Sequence, residues 1–357
     1  MKRALLILTA LFLLSAGCSH TPGVSIPPEP AASSEPSASP APTDAPTPTP
    51  APTVTPTPEP TPTPVPTPTP QPTPPPLTAN AVRPSYVPEN EYGRAKYHTF
   101  DHAGTERAYQ LFIPDTITEN APLVFMLHGY ADSAANFMRT TDMNRIAAHY
   151  GFAVCYPQGA KSSDTEFPYN HWNADFTYTT NDDTGFLSDL AAYLQETYHL
   201  SPDATFAAGL SNGGFMAYTL AVKAPGVFRA VGVVAGSMSG KSWEDRAAAQ
   251  AIPIVHIHGR GDTTIGIYGT FIGGGWGGAP EINTILEYWA ELAGLENEEE
   301  YEGDKVILRT YSSAESDTQI KYYLIKGLEH AWPIVANSTL DTPAVLWEFF
   351  SQYVPKE

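Results

Sequence analysis

Thr205-Phe206-Ala207-Ala208-Gly209-Leu210-Ser211-Asn212-Gly213-Gly214-Phe215-Met216-Ala217-Tyr218 is the stretch on which the reading of this chain turns. Residues 204–208 form a short apolar run with strand character, and 214–222 read as a helix. Between them stands Gly-x-Ser-x-Gly. A strand that reverses into a helix over so few residues leaves no room for side chains two before and two after the serine, hence glycine at both positions. The turn presents the hydroxyl above a sheet edge, at a helix N-terminus. As a bare pattern Gly-x-Ser-x-Gly is weak; the strand–turn–helix setting strengthens it.

Working outward, apolar runs at 109–113, 123–127, 152–156, 230–234, 254–257 and 322–325 read as strands. Patterns of helical period cover 142–149, 186–198, 282–292 and 343–353. Strands that alternate with helices predict an α/β fold with a mainly parallel central sheet and helices on both faces. Sites in such sheets lie at the carboxyl ends of strands.

A serine hydroxyl needs a base, and the base needs an orienting carboxylate. Two segments supply them in the order Ser, Asp, His that the elbow context requires. Asp262 follows the strand-like Ile254-Val255-His256-Ile257-His258-Gly259, and His330 follows the strand-like 322–325. Competing groups fit less well. His256 and His258 precede Asp262 and read as core or loop histidines. Glu329 adjoins His330, and adjacent side chains diverge. Asp304 stands beside the acidic run Glu298-Glu299-Glu300-Tyr301-Glu302, which reads as a solvated loop. Backbone N–H groups of Asn212 and Tyr130 are the expected oxyanion donors. His128 is expected to hold the loop that carries Tyr130. Trp172, Trp276 and Trp332 fall in loops near the predicted mouth and are candidates to stack on a substrate ring, with packing of the loops as the alternative for Trp172 and Trp332.

Leu127-His128-Gly129, Trp172-Asn173, Asp182-Asp183-Thr184-Gly185-Phe186, Gly209-Leu210-Ser211-Asn212-Gly213-Gly214, His258-Gly259 with Asp262, and His330-Ala331-Trp332-Pro333 occur in this order. Together they resemble the polyhydroxybutyrate depolymerase and feruloyl esterase group (carbohydrate esterase family one and its relatives), over roughly residues 95–355. The resemblance implies an α/β-hydrolase fold, hydrolysis of carboxylic esters by Ser211, His330 and Asp262, and no metal or cofactor. The chain departs from the group in Gly327-Leu328-Glu329, where a run of glycines is usual. It also lacks the cysteine pairs of many members and carries the glycine-rich Gly273-Gly274-Gly275-Trp276-Gly277-Gly278.

The N-terminal part reads separately. Lys2 and Arg3 precede an apolar run over 4–14, too short to span a bilayer and suited to a signal peptide. It ends in Leu14-Ser15-Ala16-Gly17-Cys18, which resembles a lipoprotein cleavage site with its leucine one position early, so Cys18 is the candidate for lipidation. Residues 19–77 are built on Thr-Pro repeats that favour extended polyproline II. At about 3.1 Å per residue they reach on the order of 150–180 Å. The catalytic domain is then expected over 78–357. With Cys18 lipidated, Cys155 has no partner for a disulfide, and its apolar run marks it as a buried strand residue.

Formal charge is −19, to which residues 1–77 contribute two positive and four negative groups, leaving −17 for the remainder. That balance argues against nucleic acid and anionic polymers as partners. The expectation is a secreted, surface-tethered esterase acting on an ester-bearing polymer or small ester, touching the membrane only through a lipid anchor. Feruloyl or acetyl esters of plant polysaccharide come first and polyhydroxyalkanoate second. A non-catalytic surface binding module on the same fold is the alternative of a different class, and a peptidase is a third. Oligomeric state is not legible.

Overall fold

The computed structural model describes residues 95–161, 168–269 and 278–356. The signal peptide, Cys18, the Thr-Pro stretch, the start of the domain at residue 78 and Trp276 lie outside them.

Among the described residues, ten strands form one sheet. The strands are β1 (Lys96–His102), β2 (Thr105–Phe112), β3 (Leu123–Leu127), β4 (Ala153–Pro157), β7 (Thr205–Leu210), β8 (Ala230–Val234), β9 (Ile254–Gly259), β10 (Asn297–Glu302), β11 (Val306–Ser313) and β12 (Ser316–Ile325). They are ordered β1-β2-β4-β3-β7-β8-β9-β12-β11-β10. The six central strands from β4 to β12 run parallel, and an antiparallel pair closes each edge. A separate short ribbon joins β5 (Ala160–Lys161) to β6 (Asn170–His171). Main helices are α1 (Ala134–Thr141), α2 (Met143–Tyr150), α3 (Asp183–Tyr198), α4 (Asn212–Lys223), α5 (Gly240–Glu244), α6 (Ile282–Leu292), α7 (Val335–Ser338) and α8 (Thr342–Phe350).

The central strands are buried on both sides, and alternate residues feed different cores. Val124, Met126, Phe206, Ala208, Val255 and Ile257 face a cluster closed by Phe137 of α1, Ile146 of α2 and Leu346 and Phe350 of α8. Leu123, Phe125, Leu127 and Ala207 face the opposite side, where Phe186, Leu190 and Leu194 of α3 and Phe215, Met216 and Leu220 of α4 cover them. Further along that side, Tyr218 of α4 and Ile285, Leu286 and Trp289 of α6 pack on Val231, Val233 and Ile254. This is the arrangement of period-two strands covered by helices on both faces. Gly232 lets α8 approach, since a Cβ there would stand 2.6 Å from Leu346 Cδ2. Cys155 is fully buried in β4, and burial pushes its thiol pKa up.

Two local expectations need correction. The acidic run 298–302 is not a loop but the edge strand β10, exposed along its whole length. It has no buried face, hence no alternating pattern. It pairs with β11, whose Arg309 bridges Glu298 at 3.0 Å and Glu300 at 2.9 Å, while Lys326 reaches Glu302 at 2.6 Å. The predicted helix at 142–149 begins one residue later, because Asp142 takes φ 58° between α1 and α2.

Candidate active site

β7 runs into α4 through Ser211, which holds φ 54° and ψ −117°. Few residues other than glycine adopt that conformation, and it is held from several directions. The Ser211 N–H donates to the Val234 carbonyl at 2.8 Å. A Cβ on Gly209 would collide with the Gly213 carbonyl, and one on Gly213 with the Leu127 carbonyl. Both glycines of the pentapeptide are therefore required by close backbone approach, one across the turn and one against β3.

Ser211 Oγ lies 2.9 Å from Nε2 of His330, whose Nδ1 lies 2.7 Å from Oδ2 of Asp262. A carboxylate only accepts, so Nδ1 carries the proton and Nε2 is left to accept from the serine hydroxyl. The two loops that bring Asp262 and His330 together touch at Gly259, where a Cβ would strike the Leu328 and Glu329 carbonyls. The Gly261 N–H also donates to the Leu328 carbonyl at 2.9 Å. Asp262 Oδ1 accepts from the backbone N–H groups of Thr264 at 2.9 Å and Ile265 at 2.8 Å. Burial works to raise the Asp262 pKa, but hydrogen bonds from His258, His330 and the Ile265 N–H outweigh it and hold the carboxyl well below its usual range. The carboxyl side chain is fully buried and that of His330 partly exposed.

Asn212 opens α4, and no side chain caps that helix. The first N–H groups of a helix have no partner within it and carry the positive end of its dipole. The loop after β3 passes close by: a Cβ on Gly129 would lie 3.8 Å from Ser211 Cβ. Tyr130 is the next residue, in a turn, with its ring partly exposed. His128 is buried and braces this loop. Its Nδ1 is 2.7 Å from the Gly129 carbonyl, and its Nε2 accepts from the Gly159 N–H at 2.9 Å. Burial lowers the His128 pKa, so the ring stays neutral.

The tryptophans separate. Trp172 is fully buried, contrary to the expectation that it lines the mouth; its Nε1 donates to the His128 carbonyl at 2.9 Å. Its backbone clasps the Asn212 side chain, N–H to Oδ1 at 2.7 Å and carbonyl to Nδ2 at 3.0 Å. Trp332 is partly buried and stands edge-on to Phe137 of α1, with ring centroids 5.4 Å apart.

Two sets of contacts are not legible in the sequence. Arg107 and Asp183 form a buried ion pair at 2.5 Å, and Asp183 Oδ2 also accepts from the Asn173 N–H at 2.7 Å. The Asp-Asp pair at 182–183 was the visible signal; its first residue caps α3 and its second turns inward. The other set is Tyr218, His256 and His258, hydrogen-bonded in series, with His258 Nε2 3.2 Å from Asp262 Oδ2. Among the described residues no group of three or more His, Cys, Asp or Glu is placed to hold a metal ion.

Residues 107–281 match the family described as esterase PHB depolymerase. The chain is 31% identical over 163 residues to the putative esterase NocK of Nocardia uniformis subsp. tsuyamanensis, covering 45% of this chain and 46% of that protein. It is 25% identical over 256 residues to the probable feruloyl esterase C of Aspergillus flavus, covering 70% and 85%. It spans about half or less of the length of several curated relatives that it matches. Its fold is like that of the acetyl xylan esterase from Aspergillus awamori, with a TM-score of 0.53 at 16% identity over 72% of this chain and 99% of that one. Over residues 107–281 the chain is similar to the esterase PHB depolymerase family, and its mainly parallel sheet covered by helices on both faces is the α/β-hydrolase fold.

Proposed function

We propose that this chain is a serine carboxylic ester hydrolase that works through an acyl-enzyme. The observation that carries the reading is the unbroken series Ser211 Oγ, His330 Nε2, His330 Nδ1 and Asp262 Oδ2, at 2.9 and 2.7 Å, on a backbone elbow with φ 54°. Ser211 Oγ attacks the acyl carbon while His330 Nε2 takes its proton. The oxyanion that develops faces the N–H of Asn212 and that of Tyr130. His330 then gives its proton to the leaving alkoxy oxygen as the C–O bond breaks. Water, deprotonated by the same nitrogen, attacks the acyl-enzyme, and Ser211 leaves with the proton back on its oxygen. Asp262 keeps His330 in the reactive tautomer and stabilises the imidazolium.

Feruloyl or acetyl esters on plant polysaccharide are the substrates favoured, in line with the names of the feruloyl esterase and acetyl xylan esterase it resembles. Polyhydroxyalkanoate is the second reading, in line with the family description. A lipid on Cys18, the Thr-Pro stretch 19–77 as a stalk and a domain from 78 onward complete the proposal: an exported enzyme that works on a polymer outside the cell.

The test is hydrolysis of p-nitrophenyl acetate, methyl ferulate, acetylated xylan and a polyhydroxybutyrate film, with Ser211→Ala as the blank. Turnover that disappears in the variant supports the reading, and the best substrate names the ester. No turnover on any ester by a folded protein overturns it and favours the binding module. Labelled glycerolipid incorporated by the wild type and lost in Cys18→Ala tests the anchor.

A further inference from the structure

Asp262 Oδ2, the oxygen that takes the His330 N–H, is also 3.2 Å from Nε2 of His258. That nitrogen is 2.8 Å from the Ile265 carbonyl. His258 Nδ1 lies 3.0 Å from His256 Nε2, and His256 Nδ1 lies 2.9 Å from the Tyr218 hydroxyl. All three rings are fully buried.

One arrangement of protons satisfies every atom with neutral rings. The Ile265 carbonyl and the Asp262 carboxylate only accept, so His258 Nε2 carries its proton. His258 Nδ1 must then accept, so His256 Nε2 carries a proton. His256 Nδ1 in turn accepts from the Tyr218 O–H. Every donor along the series points the same way, from α4 through β9 to Asp262. Burial, followed by the neighbouring His258, lowers the His256 pKa, and burial raises that of Tyr218, so both stay in the forms this order needs. Aligned hydrogen bonds polarise one another, which strengthens the last donor in the series.

We propose that Tyr218, His256 and His258 are positioning residues for Asp262. They pin the 262–265 turn and place a shared N–H beside the carboxylate oxygen that takes the His330 N–H, and so set how the carboxylate charge is divided between the two histidines. The inference rests on reading Ser211, His330 and Asp262 as the catalytic triad. Four groups face the carboxylate: His258 from β9, His330 from the loop after β12, and the N–H groups of Thr264 and Ile265. Around His256 stand Tyr218 from α4, His258 from its own strand, and Tyr322 of β12 edge-on at 5.4 Å between centroids.

The experiment compares the full chain with His258→Leu, His258→Gln and Tyr218→Phe by two readouts. The first is the pKa of His330, followed by NMR of 13C-labelled histidine and assigned by the signal lost in His330→Asn; it needs no turnover. The second is the acid limb of kcat/KM for p-nitrophenyl acetate. Leucine removes the donor, leaving more of the carboxylate charge to act on His330. The His330 pKa then rises by roughly 0.5–1 unit, and the acid limb moves up with it. Glutamine, which carries an N–H at the reach of Nε2, restores the wild-type value. Tyr218→Phe keeps the rings, should leucine prevent folding, and gives a smaller rise in the same direction. A His330 pKa equal in the wild type and in the folded Leu or Phe variants overturns the proposal, whatever the turnover. Absent turnover in the wild type sinks the esterase reading instead, so the two failures are distinct.

Discussion

The side-chain amide of Asn212 is gripped at both ends by the backbone of Trp172, Oδ1 accepting from its N–H at 2.7 Å and Nδ2 donating to its carbonyl at 3.0 Å. The residue after Ser211 is thereby tied to a segment forty positions away, which anchors the first turn of α4 beside the serine. Asn212→Ala leaves a buried N–H and a buried carbonyl without partners. The expected loss is about 2–3 kcal/mol of stability, read as a lower urea midpoint at unchanged slope. The backbone N–H of residue 212 survives the substitution. A midpoint equal to that of the wild type would show that the clasp contributes nothing.

Arg107 supports the same segment from the other side. Its guanidinium meets Asp183 at 2.5 Å and lies 4.0 Å above the Phe186 ring, and Asp183 in turn holds the Asn173 N–H. Both charged side chains are buried. Arg107→Met strands a buried carboxylate and is expected to cost about 3–5 kcal/mol. Arg107→Met combined with Asp183→Asn removes both charges and recovers a large part of that loss. A double-mutant cycle by urea denaturation checks this; simple additivity would show that the two groups are not coupled.

What the sequence made legible follows from what kind of constraint each residue obeys. Ser211, Asp262 and His330 stand just beyond the carboxyl ends of β7, β9 and β12, and the buried runs of β7 and β9 and the apolar end of β12 at 322–325 reveal those strands by composition. Their meeting is then a matter of topology, because parallel strands put all such ends at one edge. β10 had no comparable signal: both its faces meet solvent, and what holds it is backbone pairing with β11. For Trp172 the sequence leaves stacking on substrate and packing of the loop both open, because a loop tryptophan looks the same whether it faces substrate or core; the partners of its Nε1 and backbone decide for packing. His256 and His258 were legible as core residues. Their link to Tyr218 was not, since it joins α4 to β9 across 38 residues and depends on how the helix packs on the sheet.

Asp262 offers a prediction with two independent readouts. Asp262→Asn preserves shape but presents an amide N–H or a neutral oxygen to His330, which favours the wrong tautomer at Nε2. kcat on p-nitrophenyl acetate is expected to fall by roughly 10³–10⁴, with KM little changed. The same substitution changes how stability depends on pH. The folded-state pKa of Asp262 lies below its unfolded value of about 3.9. The folded state thus binds the proton less readily than the unfolded chain. The stability this supplies is fully present above the unfolded pKa and is lost as pH falls through the folded one. The asparagine variant has no such group. Its urea midpoint should sit below the wild-type value at pH 7, and the gap between the two should narrow when both are measured at pH 3. A gap of constant size across that interval would mean that the Asp262 carboxyl is not held in its charged form by the folded protein, and that the loss of kcat has another origin.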